Sequence, residues 1–359
     1  MPKPAIQFPR TEGNRFFQEL RTEVDTWFRS RGVAKTGDIR LYFKTAVIVL
    51  FTPLLFVLAL WTGLPVWASI LCFGLMGLGH ALAGFNIMHD ACHGAFHANP
   101  KVNNFMGDIL SLMGSTAYFW KVQHNVIHHT YTNIDHLDAD IGKWPVMRMA
   151  PGQKRLFHHR FQAIYMFPLY AISTLWWLLI NDFIKYFSGK LYEHDIPKMS
   201  LKQHLLFWIT KILYVSVYLV LPLWVLGIGP GIAGFLALHL VLGLTMSLVF
   251  QLAHVVEDAS FQEGKMGEPR TMEQEWAVMQ VTSTADFGTR SPFLTWMLGG
   301  LNFQVEHHLF PQISHVHYPD IHPIVVSVCK RFGVPFNEFD SMGEAFTSHV
   351  RHMSEMGKG

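Results

Sequence analysis

Residues 45–88 read TAVIVLFTPLLFVLALWTGLPVWASILCFGLMGLGHALAGFNIM, 44 residues between Lys44 and His89 without a single Asp, Glu, Lys or Arg. A bilayer-spanning helix needs about 20 predominantly apolar residues. The run therefore accommodates two helices, with Gly63-Leu64-Pro65 as the turn between them. A second charge-free run, 45 residues long, lies between Lys211 and Glu257 and is interrupted by Gly227-Ile228-Gly229-Pro230-Gly231. It predicts another helical hairpin, starting a few residues earlier near Leu205, with Lys211 inside the span and its ammonium snorkelling to the interface. The expected spans are about 45–62, 65–88, 205–227 and 231–253.

A third apolar run, Phe161 to Asn181, is also 21 residues long, and charge distribution decides against it as a span. Lys and Arg number 9 in residues 1–44, 11 in 89–204 and 7 in 254–359, and the two hairpin turns carry none. With two hairpins, all three basic regions face one side, which the positive-inside rule makes cytoplasmic. A fifth span would put the last region on the other side and part the histidine clusters described below. Residues 161–181 are therefore expected as an apolar helix in the interface or packed beneath a cytoplasmic cap, a depth that suits Trp176 and Trp177.

Composition agrees with a membrane protein: half of the 359 residues are hydrophobic and 15% are charged, against about 25% charged in soluble domains. A net charge of +2 gives no nucleic-acid footprint. Cys72, Cys92 and Cys329 form no spaced pair and suggest neither a disulfide framework nor a zinc-thiolate site. The first 44 residues are charged and polar without an early apolar core, so the spans are expected to act as their own insertion signals. The expected fold is all-α and integral to the membrane, with four spanning helices in two hairpins and a helical cap. Its divisions are a cytoplasmic segment 1–44, a main domain 45–330 and a C-terminal cytoplasmic tail 331–359.

Most of the functional signal lies in the 21 histidines. His89-Asp90-Ala91-Cys92-His93 follows the second span directly. On a continuing helix, residues four apart share a face, so His89 and His93 are placed to grip one metal. His124-Asn125-Val126-Ile127-His128-His129 repeats the spacing and adds His129 on an adjoining face, which lets one helix serve two metals. Gln304-Val305-Glu306-His307-His308 brings another doublet, and His254 closes the fourth span. By the topology above, all four groups emerge on one side. Eight or nine nitrogens are too many for one metal and about right for two, and imidazole suits iron, zinc, copper and nickel alike. His80 and His239, within spans, read as hydrogen-bonded core residues, as do the single histidines His97, His136, His315 and His317.

The succession H-D-A-C-H, H-N-V-I-H-H and Q-V-E-H-H resembles the three histidine boxes of membrane fatty-acid desaturases. The surrounding residues agree: His128-His129-Thr130-Tyr131-Thr132-Asn133, Leu301-Asn302-Phe303, His307-His308-Leu309-Phe310-Pro311 and His317-Tyr318-Pro319. The resemblance implies two iron ions held by His89, His93, His124, His128, His129, His307 and His308, with His254 as the additional ligand after the last span. Gln304, where many relatives carry a ligating histidine, resembles the front-end subgroup, which desaturates between an existing double bond and the carboxyl end. The same resemblance implies an O2-dependent reaction in which two hydrogen abstractions from neighbouring carbons give a cis double bond. It further implies a long fatty acyl substrate, as acyl-CoA or membrane lipid, and a separate electron donor such as ferredoxin or cytochrome b5 with its reductase. Only 44 residues precede the first span and no His-Pro-Gly-Gly haem motif occurs, so a fused cytochrome b5 domain is not expected.

Groups that orient the imidazoles by accepting their second N–H are expected nearby. Asp90, Asn302 and Gln304 are the leading candidates. Glu257, Asp258 and Glu306 read more readily as solvated or capping residues, Asp135, Asp138 and Asp140 read equally well as a solvated acidic loop, and Lys143, Arg148, Lys154, Arg155 and Arg160 read as a basic face toward water or anionic lipid. Three other readings stay open at this point: a lipid hydroxylase or sphingolipid desaturase with similar boxes, a membrane zinc hydrolase, and a histidine-rich metal transporter. The last would be expected to place its ligands at mid-membrane, where only His80 and His239 lie.

Overall fold

The computed structural model describes residues 6–8, 15–192, 194–264, 270–272 and 274–358; parts of the expected segment 1–44 therefore lie outside the described residues. The protein is mostly helical. Among the described residues, five helices are long and apolar enough to cross a membrane: Ile39–Ala59, Val66–His93, Phe157–Ser188, Leu201–Leu226 and Ile228–His254. Their outward faces carry large apolar side chains, among them Leu50, Trp67, Phe187, Ile212 and Trp224, the surface of a chain whose solvent is lipid.

The boundaries shift for local reasons. The first long helix begins at Ile39, earlier than expected, because the Asp38 side chain caps it by accepting from the Arg40 N–H. Its Lys44 is buried inside the protein and bonds to Asn86 Oδ1 at 2.8 Å. In the second hairpin the break is narrower than the five-residue glycine-proline stretch suggested. Gly227 alone leaves the helix, at φ +84°, and Gly229, Pro230 and Gly231 form the first turn of the next helix, where proline costs nothing. Lys211 does not snorkel: it is buried, with its ammonium on the Asp182 carboxylate at 2.8 Å and on the carbonyls of Gly114 and Leu178.

The second and fifth long helices run parallel. Gly77 packs against the Leu238 carbonyl, Gly234 against the Phe73 ring and Gly84 near Met246. No side chain fits at Gly77, and that lets the two backbones meet. Both helices consequently finish at the same end, one at His93 and the other at His254. The helix Phe157–Ser188 lies antiparallel to the fifth: Tyr170 and Met166 pack near Val255, Ser173 bonds to Ser247, and Thr174 bonds to His239. The Phe161–Asn181 stretch is thus helical as expected, within a 32-residue helix that length and composition alone do not separate from the spans.

Beyond the histidine-bearing ends sits a second core. Phe16, Leu20, Val24 and Phe28, one stripe of the helix Arg15–Arg31, pack with Ile321, Val325 and Val328 of the helix Tyr318–Phe332 and with Ala277 and Val281. The segment 331–359 ends in a helix, Met342–Lys358, that packs on the Phe157–Ser188 and Ile228–His254 helices. Arg148 and Arg155 hold its end through the carbonyls of Met356 and Gly357. Among the described residues, strands are confined to two-residue pairs. Ile134–Asp135 runs parallel to Gln262–Glu263, Asp286–Phe287 parallel to Glu338–Phe339, Ile6–Gln7 parallel to Arg270–Thr271, and Lys190–Leu191 antiparallel to His194–Asp195. The first two of these pairs tie loops around the site.

Candidate metal centre

The second long helix continues through Met88 and carries His89 and His93 on its last turn, before Gly94 ends it at φ +78°. A continuous helical segment, 117–131, carries His124, His128 and His129, and its middle, Val122–His128, is a π-turn. Such turns widen the helix and recur at functional sites. The helix Gln304–Leu309 carries His307 and His308, and His254 is the last residue of the fifth long helix. These four elements bring all eight histidines into one buried cluster.

Two groups form within it. His89, His93, His124 and His307 place ligand nitrogens within 4.8 Å of one another, and so do His128, His254 and His308. His129 stands between them, with a nitrogen 3.2 Å from His124 Nε2 and its ring 4.4 Å from that of His308. His124 and His128, which their four-residue spacing placed on one metal with His129 serving the other, instead fall in different groups, because the π-turn over Val122–His128 alters the face that residues four apart present.

The donor chemistry fits a cation. His93 Nε2, His128 Nε2, His129 Nδ1, His307 Nε2, His308 Nε2 and both nitrogens of His254 are buried without a hydrogen-bond partner. Facing lone pairs of neutral imidazoles repel, and buried polar atoms left unpaired cost about 1–3 kcal/mol each. A metal ion among them removes both penalties. Burial, reinforced by neighbouring imidazoles, holds His124, His129, His307 and His308 well below the usual histidine range, so they are neutral and ready to ligate. At His128 burial acts in the same direction, but the Asp138 carboxylate outweighs it and raises the imidazole.

The groups that orient the rings are largely not those expected. Asp138 accepts from His128 Nδ1 at 3.1 Å, and Asp140 lies 3.5 Å away. Gln280 Oε1 meets His308 Nδ1 at 2.7 Å, the Tyr318 hydroxyl meets His307 Nδ1 at 3.2 Å, and Trp120 stacks on His124 at 4.3 Å. Asn133, at φ +54°, donates to the His254 carbonyl at 2.8 Å and so fastens the turn after the second box to the fifth helix. Tyr318 and Asn133 sit in motif text already quoted; Gln280 carries no local signal at all. Asp90 turns away from the rings, to Ser314 Oγ at 2.6 Å and His315 Nδ1 at 3.0 Å. Asn302 bonds to Thr295. Gln304 is buried beside the doublet with its oxygen unpartnered.

Glu306 belongs to a separate buried cluster with Asp286 and His322. Burial disfavours a charged His322, yet the hydrogen bonds it donates to the Asp286 and Glu306 carboxylates override it and push the imidazole to about 10. Glu257 and Asp258 are exposed. Of the single histidines, His80 bonds to Tyr218, His239 to Tyr214 and Thr174, and His317 to Thr36, whereas His136, expected in the core, is exposed.

A cavity of about 730 Å³ opens beside His124, His128 and His254 and continues between the Phe157–Ser188 and Ile228–His254 helices, past Leu169, Ile172, Met246 and Phe250. Ligand pockets commonly measure about 300–1,000 Å³ and are mostly apolar with a few polar groups.

Fold and site together define a membrane-type helical protein with a buried polyhistidine metal pocket opening on an apolar cavity. Residues 64–340 match the fatty acid desaturase family. The chain is 35% identical to the sn-1 linoleoyl-lipid 6-desaturase of Synechocystis sp., over 98% of both chains. It is 34% identical to the acyl-lipid (8-3)-desaturase of Physcomitrium patens, over 99% of this chain and 74% of that one. It is 30% identical to the acyl-lipid (8-3)-desaturase of Mortierella alpina, over 95% and 78%. This chain belongs to the fatty acid desaturase family. It is an oxidoreductase that desaturates fatty acyl chains, and the histidine clusters provide sites able to hold metal.

Proposed function

We propose that the eight histidines hold two iron ions, and that the enzyme uses O2 to introduce a cis double bond into an acyl chain carried by a membrane lipid, counting from the carboxyl end. The observation that carries the metal reading is the convergence of eight imidazoles, all buried except the half-buried His93, with seven of their nitrogens lacking a partner. His89, His93 and His124, with His307, form one ligand set, and His128, His254 and His308 form the other, with His129 between them. Iron bound there supplies the oxidising power that cleavage of an unactivated methylene C–H bond requires. The chain's own residues do the rest. Asp138, Gln280 and Tyr318 fix the ring tautomers, and the cavity holds one chain segment beside the metals and excludes water.

The acyl-lipid carrier and the count from the carboxyl end rest on the relatives' names and on Gln304 in the third box. A four-span topology, with the site and both termini cytoplasmic, rests on the distribution of Lys and Arg. Electrons come from a separate protein of the ferredoxin or cytochrome b5 type.

Metal analysis of protein purified anaerobically and supplied with ferrous iron tests the metal reading. The expected content is about two irons per chain, falling by at least one in His308→Ala. One zinc per chain in active enzyme, unaffected by added iron, would overturn it.

A further inference from the structure

Among the polar groups that line the cavity, Lys185 stands apart. Lys190 is exposed and Lys143 is half-buried on the Ala139 carbonyl. Lys185 is only 4% exposed and still forms part of the cavity wall. Its ammonium donates to Gln123 Oε1 at 2.9 Å, and the Asp182 carboxylate stands 3.9 Å away. Its Oδ2 accepts from Lys211 at 2.8 Å and from Ser115 at 2.7 Å, and Oδ1, the oxygen nearest Lys185, makes no hydrogen bond. One carboxylate therefore faces two buried ammonium groups. An ammonium has three donors, and an ionisable group in an apolar setting is expensive to keep unless it serves a function.

Position matters as much as charge. Three contacts connect Lys185 to the metal-site histidine His128. They are Lys185 to Gln123 at 2.9 Å, Gln123 Nε2 to Asp140 Oδ1 at 2.7 Å, and Asp140 Oδ2 to His128 Nδ1 at 3.5 Å. An enzyme that counts from the carboxyl end needs a donor for the acyl carbonyl near its metals. Carbon six lies five bonds from the carbonyl carbon, roughly 6 Å along an extended chain. An enzyme that counts from the methyl end needs only a closed apolar tunnel. Lys185 lines the same cavity as His124, His128 and His254 and as the apolar Met246 and Phe250.

We infer that Lys185 binds the carbonyl oxygen of the acyl substrate, whether lipid ester or thioester, and so sets the distance from the carboxyl end to the carbons placed at the metals. The inference rests on the acyl-desaturase reading above and names the residue that measures position in it. Gln123 holds the ammonium in place, and Asp182 with Lys211 anchors its helix.

Wild type, Lys185→Met and Lys185→Arg, purified with iron and a reducing system, are assayed on a linoleoyl-glycerolipid and on linoleoyl-coenzyme A, with double-bond position read by mass spectrometry. Lys185→Met should raise KM on the preferred carrier about ten-fold, the loss of one charge-assisted hydrogen bond. Its double bonds should scatter to positions farther from the carboxyl group, and Lys185→Arg should restore a single position. If Lys185→Met does not accumulate as folded protein, Lys185→Gln takes its place under the same criteria. A folded neutral variant with the wild-type position and KM would overturn the inference. So would one that loses rate and thermal stability together while its position stays fixed, since that marks a purely structural lysine. Wild type that makes no double bond on either carrier would instead count against the desaturase reading, leaving the two failures distinct.

Discussion

At the scale of single residues, the proposed metal centre depends on side chains that are not themselves ligands. Gln280 is fully buried, and its oxygen accepts from His308 Nδ1 at 2.7 Å and from Thr132 Oγ1 at 2.9 Å. That bond selects the tautomer that leaves Nε2 of His308 open toward His128 and His254. Replacing the carboxamide by an apolar group of similar size frees the ring to rotate and to take the wrong tautomer. Outer partners of this kind are commonly worth 10- to 100-fold in metal affinity or activity. Gln280→Leu should therefore lose roughly 10- to 100-fold in desaturation with reduced iron retention, and Gln280→Glu, which keeps the acceptor, should retain most of both. Parallel metal analysis and turnover measurements check this. The histidines themselves were legible in the sequence because ligand spacing is local: four apart on a helix, or adjacent. Gln280 was not, because nothing within its own helix, Trp276–Thr282, marks it, and its partner lies 28 positions away. Asp90 misled for the complementary reason. It is next to His89 in sequence, but the helix turns it to the 314–315 loop.

At the scale of elements, charge-free length foretold the long helices, and glycine-proline breaks foretold the hairpins. Chain proximity to water decides what such runs cannot contain, so composition alone carries that information. The π-turn at Val122–His128 has no comparable signature, since it reflects the packing of the 117–131 segment among its neighbours. The burial of Lys211 was hidden too, because its counter-charge, Asp182, comes from another helix. Close helix crossings are likewise tertiary facts. At Gly77 any Cβ would run into the Leu238 backbone carbonyl, which has no rotamer to give way. Overpacking typically costs about 1–3 kcal/mol, and here the displaced group is backbone in a helix that also carries His254. Gly77→Val should lower the thermal midpoint in detergent and weaken iron retention. The same change at the open position Gly229 should leave iron retention near wild type.

At the scale of the whole molecule, two parallel helices end together and deliver His93 and His254 to one place, while the second core supplies His307 and His308 on a short helix of its own. The number of crossings separates two arrangements of the same helices. Five are long and apolar enough, but four keep every basic region on one side. Single cysteines at Thr62, Lys198 and Gly229, all exposed, distinguish them in intact cells treated with a membrane-impermeant thiol reagent. The four-span arrangement predicts labelling at positions 62 and 229 and protection at 198. Labelling at 198 would mean that Phe157–Ser188 crosses.

The most direct test of the whole account is the lipid product. The chain is expressed in a host with a compatible reductase and supplied with saturated, monounsaturated and diunsaturated acids. Total lipids are then analysed by mass spectrometry with double-bond localisation, with His128→Ala as the control. The expected product is a new cis double bond on lipid-linked chains, between an existing double bond and the carboxyl end, absent from the His128→Ala strain. A new hydroxyl group in place of a double bond, or a double bond that persists in the His128→Ala strain, would contradict it.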